Sequence, residues 1–364
     1  MNIEQQIHCY DASLPLTKAS TPPSSWYTCT DIAKLESDSV FSNNWLLAAR
    51  VEQLQKHGDY VATTIANQPV LLVKENNTKA FYNVCQHHAA QVMANGSGCT
   101  NALVCPYHAW RYGLDGKLKN APRFSGVELF DVSKISLKPI HCTVWQHWVF
   151  INFSHNPVPF EQQFAGLIEQ FSNLSVSDVT YYSSSHYQLN CNWKVYVDNY
   201  LDGGYHVPIL HKGLSSALDN RHYQIANGER YNVQSCPTKV MVDDTNPFAN
   251  VRSGTARYYW HYPNMMFNFY DGILGTMVVE PLAVDKCQVQ FDYYFNDQLE
   301  KITDAFKQHS VAIADKIQAE DAGICESVQQ GLASKGYDTG RLSVDKESGE
   351  HLFHRLLYND LSAT

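Results

Sequence analysis

Two stretches of this chain carry side chains whose type and spacing suit metal chemistry. The first reads Cys85-Gln86-His87 and, after seventeen intervening residues, Cys105-Pro106-Tyr107-His108. Two thiolates and two imidazoles complete a ligand shell, and soft sulfur mixed with intermediate nitrogen suits zinc or an iron–sulfur cluster. One cysteine and one histidine per loop is the pattern of a [2Fe–2S] centre in which two cysteines hold one iron and two histidines the other. A structural zinc site is the competing reading, although zinc pairs more often follow Cys-x2–4-Cys and His-x3–5-His. On an extended loop His88 points away from His87, so it is not counted as a ligand.

The second stretch is "NWKVYVDNYLDGGYHVPILH", residues 192–211. It reads as a helix as far as Asp202, with Asp198, Asp202 and His206 at i, i+4 and i+8 on one face. Gly203 and Gly204 loosen the turn and Pro208 keeps the helix from continuing normally, so His206 and His211 can converge although an ideal helix would separate them. Two histidines and a carboxylate make one face of a non-heme Fe(II) site, leaving open positions for O2. Asp321 in "IQAEDAGICESVQQGL" is the best donor for the third position, and on spacing alone Glu320 is nearly as good.

Residues 1–25 read as an extended arm, since "LPLTKASTPPSSW" is too rich in proline and polar residues for a helix. Residues 31–47 pass from a short helical pattern to "VFSNNWLLAAR". From about 50 to 153 the text is a series of short β-rich runs, "YVATTI", "PVLLVKE", "AFYNVC", "ALVCPYH", "RYGLDGKL" and "HWVFINF". "NGSG" is expected to make a tight turn that brings the two ligand loops together. Beyond a linker near 154–160 the style changes to a helix at 160–172, a strand at 180–190 and a helix at 193–202. Strand candidates "ARYYWHYP", "MMFNFY", "GTMVVEPL" and "CQVQFDYYF" follow, and a long helical pattern runs from Asp297 to about 332.

The chain of 364 residues carries a formal net charge of −9, which argues against a nucleic-acid surface. No apolar run reaches the roughly 18 residues that a membrane span needs. The start "MNIEQQIHCYDASLPL" lacks the basic and apolar regions of an export signal, so a cytoplasmic location and ten reduced cysteines are expected.

"FYNVCQHHAA", "GSG" and "VCPYHAWRYGLDGKL" resemble the Rieske domain in the oxygenase component of Rieske non-heme iron oxygenases. The usual first loop, Cys-Pro-His-Arg-Gly, is here "CQHHA", without its arginine and glycine. The resemblance implies an α+β fold: a small all-β Rieske domain (45–154) within a larger catalytic domain (155–364) whose antiparallel sheet is flanked by helices in a helix-grip-like arrangement. An N-terminal arm (1–44) would pack on the catalytic part. It implies a [2Fe–2S] cluster on Cys85, His87, Cys105 and His108 and a mononuclear Fe(II) on His206, His211 and Asp321. It further implies a homotrimer in which one subunit's cluster serves its neighbour's iron through a bridging acid. That acid normally stands three residues before the first iron histidine, the position of Gly203 here. Asp202, one residue earlier, is favoured over Asp198, a full turn earlier.

Over nearly its whole length the chain resembles the choline monooxygenase branch, through "TPPSSWYT", "NWKVYVDNYLDGGYHVP" and "ESVQQGLASKGY"; carnitine oxygenases and glycine-betaine demethylases are close. The resemblance implies O2-dependent hydroxylation of a small quaternary amine such as choline, giving betaine aldehyde hydrate. Glycine betaine, carnitine and an aminophosphonate-type zwitterion are the alternatives. A quaternary ammonium is held by aromatic faces, and Trp260, Tyr262, Phe267 and Phe269 in "RYYWHYPNMMFNFY" are the candidates, with an aromatic sheet core as the structural alternative. No G-x-G-x-x-G follows a strand and no plant-type ferredoxin run occurs, so a separate NAD(P)H-dependent flavin or ferredoxin reductase is implied. A Rieske electron carrier with a binding module is the alternative of a different class. It would need neither His206, His211 nor Asp321.

Overall fold

The computed structural model describes residues 2–239 and 252–363. The chain divides into two compact units, one formed by Met1–Val40 with Glu161–Thr364 and the other by Phe41–Phe160.

The 41–160 unit is built on a seven-stranded antiparallel sheet. Its order is Leu46–Arg50, Trp148–Asn152, Pro139–Trp145, Thr78–Tyr82, Gln68–Lys74, Asp59–Ile65, Gly96–Cys99. Val70, Leu71, Leu72 and Val73 are all buried, which identifies an interior strand. Ala66 and Asn67 join it to the preceding strand with φ of 49° and 62°, the two left-handed positions of a tight hairpin turn. The expected turn at "NGSG" is instead the edge strand Gly96–Cys99, paired with Asp59–Ala62. Glycine suits that edge because a Cβ on Gly98 would meet the Tyr60 hydroxyl at 3.0 Å. "RYGLDGKL" splits into the strands Arg111–Tyr112 and Leu118–Asn120, which form a small three-stranded sheet with Leu103–Val104.

The other unit holds a second seven-stranded antiparallel sheet, ordered Thr180–Leu189, Lys286–Phe295, Ile273–Ala283, Met265–Tyr270, Thr255–His261, Tyr231–Pro237, Gln224–Asn227. On one face Trp260 and Tyr262 meet Phe353 of the helix Ser348–Ser362, and on the other Phe171 meets Tyr259 and Phe267. The helix Trp193–Leu201 starts at Asn192, whose side chain accepts from the Lys194 amide. Its first turn is anchored by Glu36, which accepts from Trp193 Nε1 at 2.8 Å and pairs with Lys194 at 2.5 Å, all three being buried. The long helix Asp304–Leu332 begins later than the sequence pattern suggested, because the Thr303 hydroxyl caps the Phe306 amide. Residues 1–25 are not wholly extended: Asn2 and Gln5 form a reciprocal capping box that starts the helix Ile3–His8.

Candidate metal centres and active site

The first ligand loop leaves the strand Thr78–Tyr82, and the second leaves Leu103–Val104. The two are built alike. Cys85 N–H donates to the Ala90 carbonyl and Cys105 N–H to the Trp110 carbonyl, at 2.8 and 2.9 Å. Ala89 and Ala109 each return an N–H to their cysteine carbonyl and take φ of 60° and 57°. The left-handed turn that glycine would make easily is therefore kept with alanine in both loops. Because the first loop turns rather than extends, His88 does not point away: its ring lies 3.9 Å from that of His87.

Cys85 and Cys105 are buried, the His87 and His108 rings are 4.7 Å apart, and His87 stacks on Trp110 at 4.7 Å and 5°. The buried Nδ1 of His87 has no hydrogen-bond partner among the described residues. A buried imidazole nitrogen without a partner, beside a second imidazole and two buried thiols, is a donor set that fits a cluster. Tyr112, fully buried, places its hydroxyl 3.3 Å from Cys85 Sγ and accepts from the Gln86 amide at 3.0 Å. Burial, then the thiol, holds that phenol well above its ordinary pKa.

In the catalytic unit the helix Trp193–Leu201 ends at Asp202, and Gly203 and Gly204 follow with φ of 67° and 68°. A Cβ on Gly203 would lie 2.2 Å from the Lys346 carbonyl oxygen, so no acid fits at that position. A short helix, Val207–Leu210, then returns His211 toward His206. Donor atoms of His206, His211 and Asp321 all lie within 4.8 Å of one another. Asp321 Oδ1 is 2.9 Å from His211 Nε2 and 3.8 Å from His206 Nε2. The opposite nitrogens are held by other acids, His206 Nδ1 by Asp202 at 2.5 Å and His211 Nδ1 by Glu320 at 2.7 Å. Burial disfavours a charged His211, but Asp321 and Glu320 outweigh it and raise its pKa. Two Nε2 atoms and one carboxylate oxygen facing a common point, each imidazole fixed from behind, fit a non-heme iron site.

Asp202 also accepts from the Tyr205 and His206 amides. Asp198 is engaged elsewhere, by the Tyr27 hydroxyl at 2.7 Å and His354 Nε2 at 2.9 Å. Asn199, which sequence reasoning passed over, donates to Asp321 Oδ1 at 3.0 Å. Its place one turn before the glycine pair was the available signal.

The chamber beside His206, His211 and Asp321 is not lined by the expected aromatic residues. Its wall holds Tyr196, Tyr200, Tyr223, Tyr258, Asn268 and Met277. Trp260 shares a strand face with Tyr258 but lies two residues further on, where it and Tyr262 pack on Phe353. Phe267 and Phe269 alternate with Asn268 and so face the other way, Phe267 against Phe171. All four are core. Burial holds the phenols of Tyr196, Tyr200, Tyr223 and Tyr258 well above the ordinary pKa, so they stay neutral.

Residues 44–131 match the Rieske [2Fe-2S] domain, and residues 176–362 match the catalytic domain of ring-hydroxylating alpha subunits. The chain belongs to the Rieske non-heme iron oxygenases. Among relatives of this Rieske oxygenase, the chloroplastic choline monooxygenase of Arabidopsis thaliana is 37% identical over 99% of the chain and 87% of its own length. The carnitine monooxygenase oxygenase subunit of Escherichia coli is 30% identical over 93% of each. A quaternary ammonium Rieske monooxygenase crystallised with L-carnitine superposes with a TM-score of 0.82 at 26% identity, covering 94% of this chain and 96% of that one. Membership of the family brings a [2Fe–2S] cluster and a mononuclear iron, and relatives that are oxygenase components need a separate reductase. No helix among the described residues is long and apolar enough to cross a membrane.

Proposed function

We propose that this Rieske oxygenase hydroxylates a small quaternary amine of the choline type at a carbon beside nitrogen or oxygen, giving betaine aldehyde hydrate when choline is the substrate. The balance is C–H + O2 + 2 e− + 2 H+ → C–OH + H2O, with the electrons drawn from a separate NAD(P)H-dependent reductase. One observation carries the substrate class. The chamber beside the iron donors is walled by neutral tyrosines and the carboxylates of Asp202 and Asp321, with no lysine or arginine among its described wall residues. A quaternary ammonium has no hydrogen to donate and is held by aromatic faces and negative charge, which this wall offers. The likeness to choline and carnitine monooxygenases supports the same reading.

In this proposal Cys85, His87, Cys105 and His108 hold the cluster, and His206, His211 and Asp321 hold the mononuclear iron. When bound, the cluster supplies electrons singly and the iron supplies the chemistry that activates O2. The chain does the rest by positioning. Asp202 and Glu320 take the Nδ1 hydrogens of His206 and His211, which leaves both Nε2 lone pairs facing Asp321. Asn199 holds Asp321 Oδ1 in place. Asp202 is also the acid that would link His206 to the cluster of a neighbouring copy in a homotrimer, a role supported by its contact with His206 and by inter-subunit electron transfer in a related quaternary ammonium monooxygenase. Ten free thiols suit a reducing compartment, here the cytoplasm.

The test is a panel of choline, glycine betaine, carnitine and an aminophosphonate, incubated with the iron-loaded protein, a reductase and NADH. Product formation coupled to NADH use is expected with a quaternary amine. Choline is eliminated if it consumes no more NADH than the blank.

A further inference from the structure

The chamber beside His206, His211 and Asp321, of about 100 Å³, is short of hydrogen-bond donors. Three of its phenols spend their hydrogens within the protein. Tyr196 donates to Gln318 Oε1 at 2.6 Å, Tyr200 to Asn268 Oδ1 at 2.9 Å, and Tyr223 to Gln234 Oε1. The hydroxyl of Tyr258 is paired with that of Tyr270. Tyr196, Tyr200 and Tyr223 therefore offer a substrate ring faces and oxygen lone pairs rather than hydrogens. The carboxamides Asn199, Gln234, Asn268 and Gln318 share the wall. Asn199 donates to Asp321 and Gln234 to the Tyr200 carbonyl. The amide nitrogens of Asn268 and Gln318 meet no acceptor among the described residues.

Gln318 is the better placed of these two. It is only 7% exposed, and a buried amide nitrogen without an acceptor is costly to leave so. Its orientation is also fixed. Gln318 Oε1 is the one acceptor of the Tyr196 hydroxyl among the described residues, so turning the amide over would strand that hydrogen. Asn268 is held less firmly. It is half-buried, and the Tyr200 hydroxyl has the Tyr259 and Phe267 carbonyls as further acceptors at 3.2 and 3.3 Å. Gln318 stands three residues before Asp321 on the helix Asp304–Leu332, which puts the two on one face.

We infer that Gln318 Nε2 donates to the substrate's oxygen atom and so orients the substrate within the chamber. The inference rests on the proposed function and deepens it, by naming the group that recognises the end away from the ammonium. The ammonium is left to phenol faces and carboxylates, and the oxygen goes to the amide one helical turn from Asp321. The carbon that carries the oxygen, rather than a methyl on nitrogen, is thereby the one set beside Asp321. Tyr196 is a positioning residue, because its hydroxyl keeps the amide oxygen occupied and the amide nitrogen available.

The experiment is anaerobic calorimetric titration of the iron-loaded protein, without reductant, using choline and propyltrimethylammonium, in which a methyl group replaces the hydroxyl. Wild type is expected to bind choline at least about tenfold more tightly than the hydrocarbon analogue, about 1.4 kcal/mol. Gln318→Met brings that ratio close to one, whereas Asn268→Leu keeps most of it. Equal binding of the two amines by wild type, or a ratio that survives in Gln318→Met, overturns the inference while leaving the quaternary-amine reading intact. A ratio that survives there and collapses in Asn268→Leu moves the oxygen to the amide on the sheet. Failure of both amines to bind overturns the quaternary-amine reading and the inference with it. Tyr196→Phe keeps the ring but frees the amide to turn, so the ratio falls severalfold. That variant decides the matter if Gln318→Met does not fold, an unchanged ratio overturning the inference.

Discussion

Glu320 and Asp321, neighbours on one helix, grip opposite nitrogens of the same imidazole: Glu320 Oε2 is 2.7 Å from His211 Nδ1 and Asp321 Oδ1 is 2.9 Å from His211 Nε2. Both acids look equivalent in the sequence, and the structure separates their tasks. Only Asp321 also approaches His206 Nε2. Asp321→Ala is expected to lose the mononuclear iron and keep the cluster, taking iron from about three to about two atoms per chain. Glu320→Gln keeps the site but weakens Fe(II) binding by roughly 10- to 100-fold, read by competition with a chelator. Equal iron loss in both variants would mean that the two acids share one role.

Asp202→Asn should leave both metals bound and stop turnover. Asparagine keeps one acceptor oxygen where Asp202 uses two, so it can still hold the His206 amide and Nδ1 but gives up the Tyr205 amide, and it loses the negative charge beside His206 Nδ1. Metal analysis combined with single-turnover product formation checks this, and normal turnover in the variant rules the role out.

Tyr112→Phe removes the hydroxyl 3.3 Å from Cys85 Sγ, which donates to that sulfur when it is a cluster thiolate. A hydrogen bond to a cluster thiolate favours the reduced, more negative state, so its loss lowers the reduction potential by a few tens of millivolts. A potentiometric titration followed by the cluster's visible absorbance measures the shift. An unchanged potential would show that the hydroxyl serves the loop alone, through the Gln86 amide.

His261 supplies an acid-side effect remote from the iron donors. It stacks on Phe164 at 3.8 Å and lies 3.3 Å from the Gln163 carbonyl, and its other nitrogen has no hydrogen-bond partner among the described residues. Burial, then Arg230, lowers its pKa from 6.5 to about 3. The unfolded chain takes a proton below about 6.5 that the folded chain refuses, so stability falls as pH drops through this window toward 3. The slope from this one group is at most about 1.4 kcal/mol per pH unit. His261→Phe should flatten the acid limb of a melting-temperature profile between pH 7 and pH 5. An identical slope in the variant removes His261 as the cause.

The candidate metal donors could be picked out in the sequence because iron restricts its ligands to a few residue types at short spacings. Cys85, His87, Cys105, His108, His206 and His211 all lie in local text. Asp321 is more than a hundred residues away, yet the choice was confined to two adjacent acids. The wall of the chamber was not legible. Tyr258 and Trp260 share composition, strand and face, and only the position of the iron turn along the sheet makes one a wall and the other core. Asn199 is an ordinary polar residue until a distant helix brings Asp321 within 3.0 Å of it. The helix Ile3–His8 was hidden because its signal is a reciprocal cap between Asn2 and Gln5, while the proline-rich text after it dominated the reading.

Asp202 takes the Tyr205 amide hydrogen with Oδ1, and with Oδ2 it holds both the His206 amide hydrogen and the His206 ring. The bend of the chain and the aim of the imidazole are thus a single adjustment. Any motion that opens the bend also swings the ring off target, so this half of the iron pocket is either assembled or dismantled, with little between.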